Sequence, residues 1–286
     1  MTFTESKMVN FDRMFQVSNI PQEQIVGINI RKDWPRSGKI EFENVGLSYR
    51  PNTEAVLKEL NFQVKDGEKV GVVGRTGAGK STVCLSMSRI LELVEGRIKV
   101  DGQDISHVNL NFLRHKITVI PQDPTMFKDT LRYNLDPEGN RTKDELVQLL
   151  NKAGLEGLLE RDGNGLEFSV SENGNNLSSG EKQLICICRA ILRKNKVVIL
   201  DEATSNIDIV TEQKIQQLIQ EEFKDSTVIT IAHRINTIIK SDRVLVLSYG
   251  EMAEYDDPQV LLRNPNSFFS ELISELKHEE AKSSTQ

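Results

Sequence analysis

Gly74-Arg75-Thr76-Gly77-Ala78-Gly79-Lys80-Ser81 decides how this chain is read. It fits G-x-x-x-x-G-K-[ST], the phosphate-binding loop pattern. Lys69-Val70-Gly71-Val72-Val73 precedes it and reads as a buried strand; Ser81 to Leu91 follows and reads as a helix. That strand, loop and helix are the context the pattern needs. The glycines let backbone N–H groups turn inward onto phosphate oxygens, and the helix N-terminus adds partial positive charge. Lys80 has the length to reach terminal phosphates, and the Ser81 hydroxyl is a hard oxygen donor suited to magnesium. A glycine-rich turn with a chance Lys-Ser would not need a strand and a helix on either side.

Working outward, 286 residues allow one large domain or two modest ones. A hydrophobic share of 38% supports a sizeable core, and 27% charged residues favour solubility. The net charge of −6 supplies no basic footprint for nucleic acid. No apolar run approaches the ~20 residues that cross a bilayer. Cys84, Cys186 and Cys188 lack zinc-type spacing and read as reduced core residues. Asn140 and Asn176 open N-x-[ST] matches that carry no weight in a cytosolic chain.

Residues 1–36 differ from the rest. Met8, Phe11 and Phe15 recur at helical spacing and predict a short amphipathic helix, followed by a linker to Pro35. From Lys39 the pattern is β-like, with Ile40, Phe42 and Val45, then Val56 to Val64 and a turn at Asp66-Gly67. Gly96 to Gly102 and Ile117 to Ile120 add two strands. Residues 124–190 read as mostly helical, broken by the polar loop 171–176 and closed by a helix from Glu181 to Arg193. Strands at Val197–Leu200, Thr227–Ile231 and Arg243–Leu247 follow, with a helix at Ile209–Phe223 between the first two. This β–α–β alternation predicts a mainly parallel sheet covered by helices. Leu272, Ile273 and Leu276 predict a last helix, and the tail from His278 reads as disordered. No internal repeat is visible.

The second strong signal is Val197-Val198-Ile199-Leu200-Asp201-Glu202, a buried strand with two carboxylates at its C-terminal end. Ligand sites of parallel α/β sheets lie at that end. Asp201 is placed to hold magnesium through water, and Glu202 to orient and deprotonate an attacking water. Alone, an apolar strand ending in Asp-Glu is common; downstream of a phosphate-binding loop it points to hydrolysis. Gln122 and His233 also follow apolar strands, so they would converge on the phosphates if those strands join one sheet.

With these residues in hand, the chain resembles the nucleotide-binding domain of ATP-binding cassette (ABC) transporters over roughly residues 37–275. The phosphate-binding loop is followed in order by Ile120-Pro121-Gln122-Asp123-Pro124, which looks like the Q-loop. Leu177-Ser178-Ser179-Gly180-Glu181-Lys182-Gln183 looks like the signature, and Leu200-Asp201-Glu202 like the end of the Walker B strand. Ala203-Thr204-Ser205-Asn206-Ile207-Asp208 looks like the D-loop, and Ala232-His233-Arg234 like the switch-histidine loop. Trp34-Pro35, the run to Tyr49-Arg50-Pro51, and Asn134-Leu135-Asp136-Pro137 are similar to the C subfamily, the multidrug-resistance-protein type. The intact Glu202 and the run from Tyr255 to Pro265 are similar to the second cassette of such transporters.

The resemblance implies an α/β cassette fold: a mainly parallel core sheet, an antiparallel β subdomain and a helical subdomain. It divides the chain into 1–36, the end of a transmembrane helix and its linker; 37–275, the nucleotide-binding domain; and 276–286, a disordered tail. It implies ATP and Mg2+ as ligands. Tyr49 would stack on adenine, an aromatic face being a low-entropy partner for a flat base. Gly74, Arg75, Thr76, Gly77, Ala78, Gly79, Lys80, Ser81 and Thr82 would hold the phosphates. Ser81, Gln122 and Asp201 would serve the magnesium. Glu202, His233 and Gln122 would be catalytic. Ser178, Ser179 and Gly180 would face an ATP bound to a partner cassette, and Asp208 would lie at the seam.

Two departures stand in the signature. Ser179 replaces a glycine and is small enough to be tolerated. Glu181 replaces a glutamine and brings a carboxylate toward a polyphosphate, which is unfavourable unless it points away or pairs with Lys182. The function implied is ATP hydrolysis powering export across a membrane, on its cytosolic face, by head-to-tail pairing with a second cassette and coupling to transmembrane domains. A nucleotide-sensing regulatory module is the competing reading. A soluble cassette acting on nucleic acid is disfavoured by Trp34-Pro35, the helical preamble and the acidic charge balance.

Overall fold

The structure, a computed structural model, describes residues 3–20, 23, 25, 27–28, 30–50, 53–201, 207, 209–231 and 234–283. Helix α1 (Phe3–Ser18) matches the helical spacing of Met8, Phe11 and Phe15, and it leaves all three exposed. Among the described residues no helix is long and apolar enough to cross a membrane. The linker beyond α1 is tied to the domain. Ile28 forms a bridge with Val108, and the buried Trp34 donates from Nε1 to the Val100 carbonyl at 3.0 Å.

The antiparallel layer comes next. Strands β1 (Ile40–Leu47) and β2 (Leu57–Val64) pair Ile40 with Val64 and Phe42 with Phe62, whose rings stack at 4.3 Å. The turn at Asp66-Gly67 leads to β3 (Lys69–Val73), buried from Val70 onward on both faces as an interior parallel strand should be. Helix α2 (Lys80–Met87) follows the phosphate-binding loop. It stops four residues short of the Leu91 predicted from periodicity. Arg89 takes φ 48° and turns its buried guanidinium onto the carbonyls of Ile105 and Val108. That long-range demand is invisible to helical spacing. Strands β4 (Glu95–Val100) and β5 (Gln103–Asp104) complete a sheet of order β2-β1-β4-β5.

Helix α3 (Leu110–Lys116) enters β6 (Ile117–Ile120). The helical region then contains a two-stranded ribbon the sequence did not signal, β7 (Asp129–Thr130) with β8 (Ser169–Val170), around α4 (Leu131–Leu135), α5 (Lys143–Lys152) and α6 (Glu156–Glu160). Helix α7 (Ser179–Arg193) begins two residues before the predicted Glu181. Then follow β9 (Val197–Asp201), α8 (Ile209–Glu222), β10 (Thr227–Ile231), α9 (Ile235–Ile239), β11 (Arg243–Ser248) and β12 (Glu251–Asp256). Helices α10 (Pro258–Leu262) and α11 (Phe268–Ser283) close the described chain.

Two of these elements correct the reading. Strand β12 was not expected; it is a polar edge strand, antiparallel to β11 across a turn in which Tyr249 and Gly250 both have positive φ. Helix α11 continues to Ser283, through the tail read as disordered from 276. The Glu, Lys and Ala residues of this stretch have high helix propensity.

The main sheet has order β12-β11-β3-β10-β9-β6 and is parallel except at β12. Alternation along β9 decides which helices cover which face. Val197 and Ile199 point into the core shared with α2 and the antiparallel sheet, while Val198 and Leu200 point into the core shared with α7 and α8. A third cluster packs α9 and α11 against β3 and β11 through Val73, Val244, Val246, Ile238 and Phe269.

Candidate functional site

The register of the parallel strands builds the site's edge. Ile120, Leu200, Thr230, Gly71 and Val244 lie in one row across five strands, because each is the direct partner of the next. The strands run in the same direction, so the residues following this row emerge together. Pro121-Gln122, Asp201, the end of β10 and Val73-Gly74 therefore share one edge of the sheet.

At that edge the loop 74–79 needs its glycines. Gly74 has φ 153°, and a Cβ there would lie 2.4 Å from the Leu247 carbonyl oxygen. Gly79 caps α2 at φ 100°, where a Cβ would meet Leu57 Cδ2 at 2.8 Å. Lys80 is buried, and its ammonium donates to the carbonyls of Gly74 at 2.7 Å and Arg75 at 3.3 Å, which centres it within the loop. Ser81 is exposed and Thr82 buried on the first turn of α2. Tyr49, just beyond β1, sets its hydroxyl 3.1 Å from Thr82 Oγ1 and is 52% exposed as a residue.

Asp201 ends β9 close to α2. Burial pushes the Cys84 thiol well up from its ordinary pKa, and the negative charge of Asp201 pushes it the same way. The loop, Asp201 and Gln122 are thus brought to one edge from three separate strands. Glu202, Asp208 and His233 lie outside the described residues. Arg234, next to His233, pairs with Glu212 of α8.

The signature sits elsewhere. Ser178 is the N-cap of α7, and α7 packs on the face of β9 opposite to α2. Ser178 and Ser179 are exposed, whereas Gly180 is buried where a Cβ would be 2.9 Å from Thr211 Cγ2. Ser178 and Glu181 form a capping box: Ser178 N donates to Glu181 Oε2 at 2.7 Å, and Glu181 N donates to Ser178 Oγ at 3.2 Å. The ion-pair partner of Glu181 is Arg161, not the adjacent Lys182 considered from sequence.

Asn134 is fully buried. Its amide donates to the Phe127 and Thr130 carbonyls and accepts from Phe127 N–H, which pins the segment after Gln122. Arg189 of α7 joins this network through Asn134 and the Thr125 carbonyl at 2.7 Å. Burial pulls the Arg189 pKa below its ordinary value. Beside the loop, a cavity of about 310 Å³ lies between residues 74–78, the end of β11 and α11. Arg75 bridges it to Glu271 at 2.9 Å and Glu275 at 2.5 Å. Sequence spacing signals neither Arg161 nor Arg189 nor these glutamates, because each partner is far along the chain.

Among the described residues no cluster of three or more His, Cys, Asp or Glu side chains could hold a metal alone. The donors at the edge are a hydroxyl, an amide and a carboxylate. That oxygen set suits magnesium, which takes one or two protein ligands and completes its shell with phosphate and water.

The comparisons agree with this geometry. A family model described as "ABC transporter" matches residues 57–205. The chain is 45% identical over 268 residues to ATP-binding cassette sub-family C member 3 of Rattus norvegicus, covering 93% of this chain and 18% of that protein. It is 43% identical over 274 residues to ABC transporter C family member 9 of Arabidopsis thaliana, covering 95% of this chain and 18% of that protein. The chain therefore spans under a fifth of the length of these relatives. A solved structure of a bacterial Atm1-family ABC exporter with ATP bound superposes with a TM-score of 0.82 at 31% identity, over 95% of this chain and 48% of that one. Glycine loop, shared strand edge, antiparallel layer and family match coincide: the chain belongs to the ABC transporter family, as its ATP-binding domain.

Proposed function

We propose that this domain hydrolyses ATP, with Mg2+, to power export of a substrate across a membrane. It does so paired head to tail with a second cassette and coupled to transmembrane domains, on the cytosolic face. The observation that carries the reading is the shared edge, where the loop 74–79, Asp201 and Gln122 come together from β3, β9 and β6.

Each role follows from chemistry at that edge. Backbone N–H groups of residues 74–79 and the Lys80 ammonium neutralise the phosphates, with Arg75, Thr76, Gly77 and Ala78 shaping the cradle. Tyr49 supports the base, and Thr82 anchors Tyr49. Ser81, Gln122 and Asp201 would hold magnesium, which would supply charge neutralisation at the terminal phosphates. Glu202 takes the proton of the attacking water, and His233 hydrogen-bonds the terminal phosphate and orders Glu202 and the water. Such catalysis is mostly positioning and charge neutralisation.

Ser178, Ser179 and Gly180 serve the partner's nucleotide, a reading supported by the placement of α2 and α7 on opposite faces of β9. Asp208 sits at the seam between cassettes. The intact Glu202 and the run from Tyr255 to Pro265 favour the second cassette of a C-subfamily transporter, with residues 1–36 as the end of a transmembrane helix and its linker.

Glu202→Gln tests the mechanism. ATP binding, read by a fluorescent analogue, is expected to persist while turnover falls by about a hundredfold or more, the scale for losing a general base. Turnover near that of the unsubstituted protein would remove Glu202 from the role of base.

A further inference from the structure

We propose that Arg161 is a positioning residue of the signature: it neutralises Glu181 and so keeps the start of α7 fit to face a partner cassette's polyphosphate. The inference rests on the head-to-tail reading above. Its starting point is a conflict of signs. A carboxylate on the third residue of a helix favours the helix itself, through the capping box and the dipole. The same carboxylate opposes a polyanion brought to that terminus.

The structure answers the conflict with one guanidinium. Glu181 Oε2 accepts from Ser178 N–H at 2.7 Å, and Glu181 Oε1 accepts from Arg161 Nη2 at 2.5 Å. Both carboxylate oxygens are therefore engaged on the near side of the helix terminus. Arg161 is itself held in place. It caps the C-terminus of α6, donates from Nη1 to the Asn176 carbonyl at 3.2 Å, and lies over the Phe168 ring at 5.8 Å. A planar guanidinium with several fixed donors can serve the Asn176 carbonyl and the Glu181 carboxylate at once, which a lysine cannot do in the same geometry. Asn176 stands two residues before Ser178, so the same side chain fixes the approach to the signature as well as its charge. The Glu181 side chain is only 21% exposed, so water screens its charge less than at an open surface and the compensation counts for more.

The test uses the whole chain carrying Glu202→Gln, with ATP-dependent pairing followed by sedimentation over a range of ATP and NaCl concentrations. Arg161→Gln is expected to raise the ATP concentration needed for pairing by about three- to tenfold, the scale of one charge at a helix terminus. Adding Glu181→Gln to it is expected to restore pairing, and Arg161→Lys to keep part of it. ATP binding to the unpaired chain is expected to stay the same, because the phosphate-binding loop leads into α2, on the face of β9 opposite to α7. A purely structural Arg161 predicts otherwise: a lower melting temperature, with no rescue by Glu181→Gln. That result, or pairing unchanged by Arg161→Gln, overturns the inference alone. If Arg161→Gln does not fold, Glu181→Gln is compared with the double variant: equal pairing supports the inference and weaker pairing of the double overturns it. Failure of the Glu202→Gln parent to pair with ATP overturns the head-to-tail reading, and the inference with it.

Discussion

The Tyr49 hydroxyl lies 3.1 Å from the Thr82 hydroxyl, joining the end of an antiparallel strand to the first turn of the helix behind the phosphate-binding loop. The contact is one of several polar links between the two layers, beside Lys58 N–H to the Gly250 carbonyl and the Tyr255 hydroxyl to the Gln63 carbonyl. Thr82 is 2% exposed, so its hydroxyl depends on this partner within the protein, while Tyr49 as a whole stays exposed.

Two substitutions at Tyr49 separate the anchor from the platform. Tyr49→Phe keeps the ring and removes the hydroxyl. It is expected to lower stability by about 0.5–1.5 kcal/mol, the usual net value of one hydrogen bond, and to leave ATP affinity nearly intact. Tyr49→Ala removes the ring and is expected to weaken ATP binding by about tenfold, within the range for a base stacked on an aromatic side chain. Thermal denaturation and titration with a fluorescent ATP analogue read the two effects. Equal ATP affinity in both variants would remove Tyr49 from the base site.

The glycines of the loop are expected to differ sharply in their tolerance of alanine. At Gly74 a Cβ would meet the Leu247 backbone oxygen at 2.4 Å, and φ is 153°. Backbone must move there, so Gly74→Ala is expected to cost about 2–3 kcal/mol and to abolish ATP binding. At Gly77 φ is 81° but no atom lies within 4 Å of a Cβ, leaving only the left-handed strain of about 1–2 kcal/mol. Denaturant midpoints of the two variants check the order; a larger loss for Gly77→Ala would contradict it.

Legibility from sequence divides along physical lines. Strand β3, its loop and β9 were readable because burial on both faces makes an unbroken apolar run, and the loop pattern adds fixed spacing. Strand β12 was not, because an edge strand facing solvent needs little hydrophobicity, and its turn uses Tyr249-Gly250 in place of the usual Asn-Gly. The end of α2 was missed because Arg89 answers to carbonyls at Ile105 and Val108, a contact no local period encodes. Sequence adjacency offers Glu181 the neighbouring Lys182, whereas the fold supplies Arg161 from twenty residues upstream.

The ion pairs from Arg75 to Glu271 and Glu275 attach the phosphate-binding loop to α11 at an exposed position. The two carboxylates, Glu275 foremost, raise the Arg75 pKa further above its ordinary value, so the guanidinium stays charged at any working pH. Such a contact is expected to order α11 against the loop more than to stabilise the fold. In Glu271→Gln/Glu275→Gln, amide hydrogen exchange in α11 is expected to quicken severalfold at low salt, with little change in melting temperature. The difference should shrink at high salt, where exposed charges are screened. Unchanged exchange at low salt would show that apolar packing of Phe269 and Ile273 holds α11 unaided.

Asp101 fastens residues 36–39, which lead into β1, and its protonation sets a pH limit on that attachment. Its carboxylate accepts from the Ser37 hydroxyl at 2.6 Å and from N–H groups of Arg36, Ser37, Gly38 and Lys39 at 2.6–2.9 Å. Burial alone would push its pKa up. The hydrogen bonds from the Ser37 hydroxyl and from the Ser37, Arg36 and Lys39 N–H groups outweigh that and hold it below its ordinary value. A folded pKa below the unfolded one means the carboxylate stabilises the fold fully above the ordinary carboxylate range. That contribution is lost as pH falls from about 4 through the depressed folded value. Asp101→Asn removes the charge at every pH. It is expected to cost about 1 kcal/mol at neutral pH, the low end for charge-assisted bonds because the site is partly open to water, and to flatten stability below pH ~4. Denaturant midpoints of the two proteins across that range check the sign: the gap must close as pH falls, and a gap that widens in acid would rule out Asp101 as the group responsible.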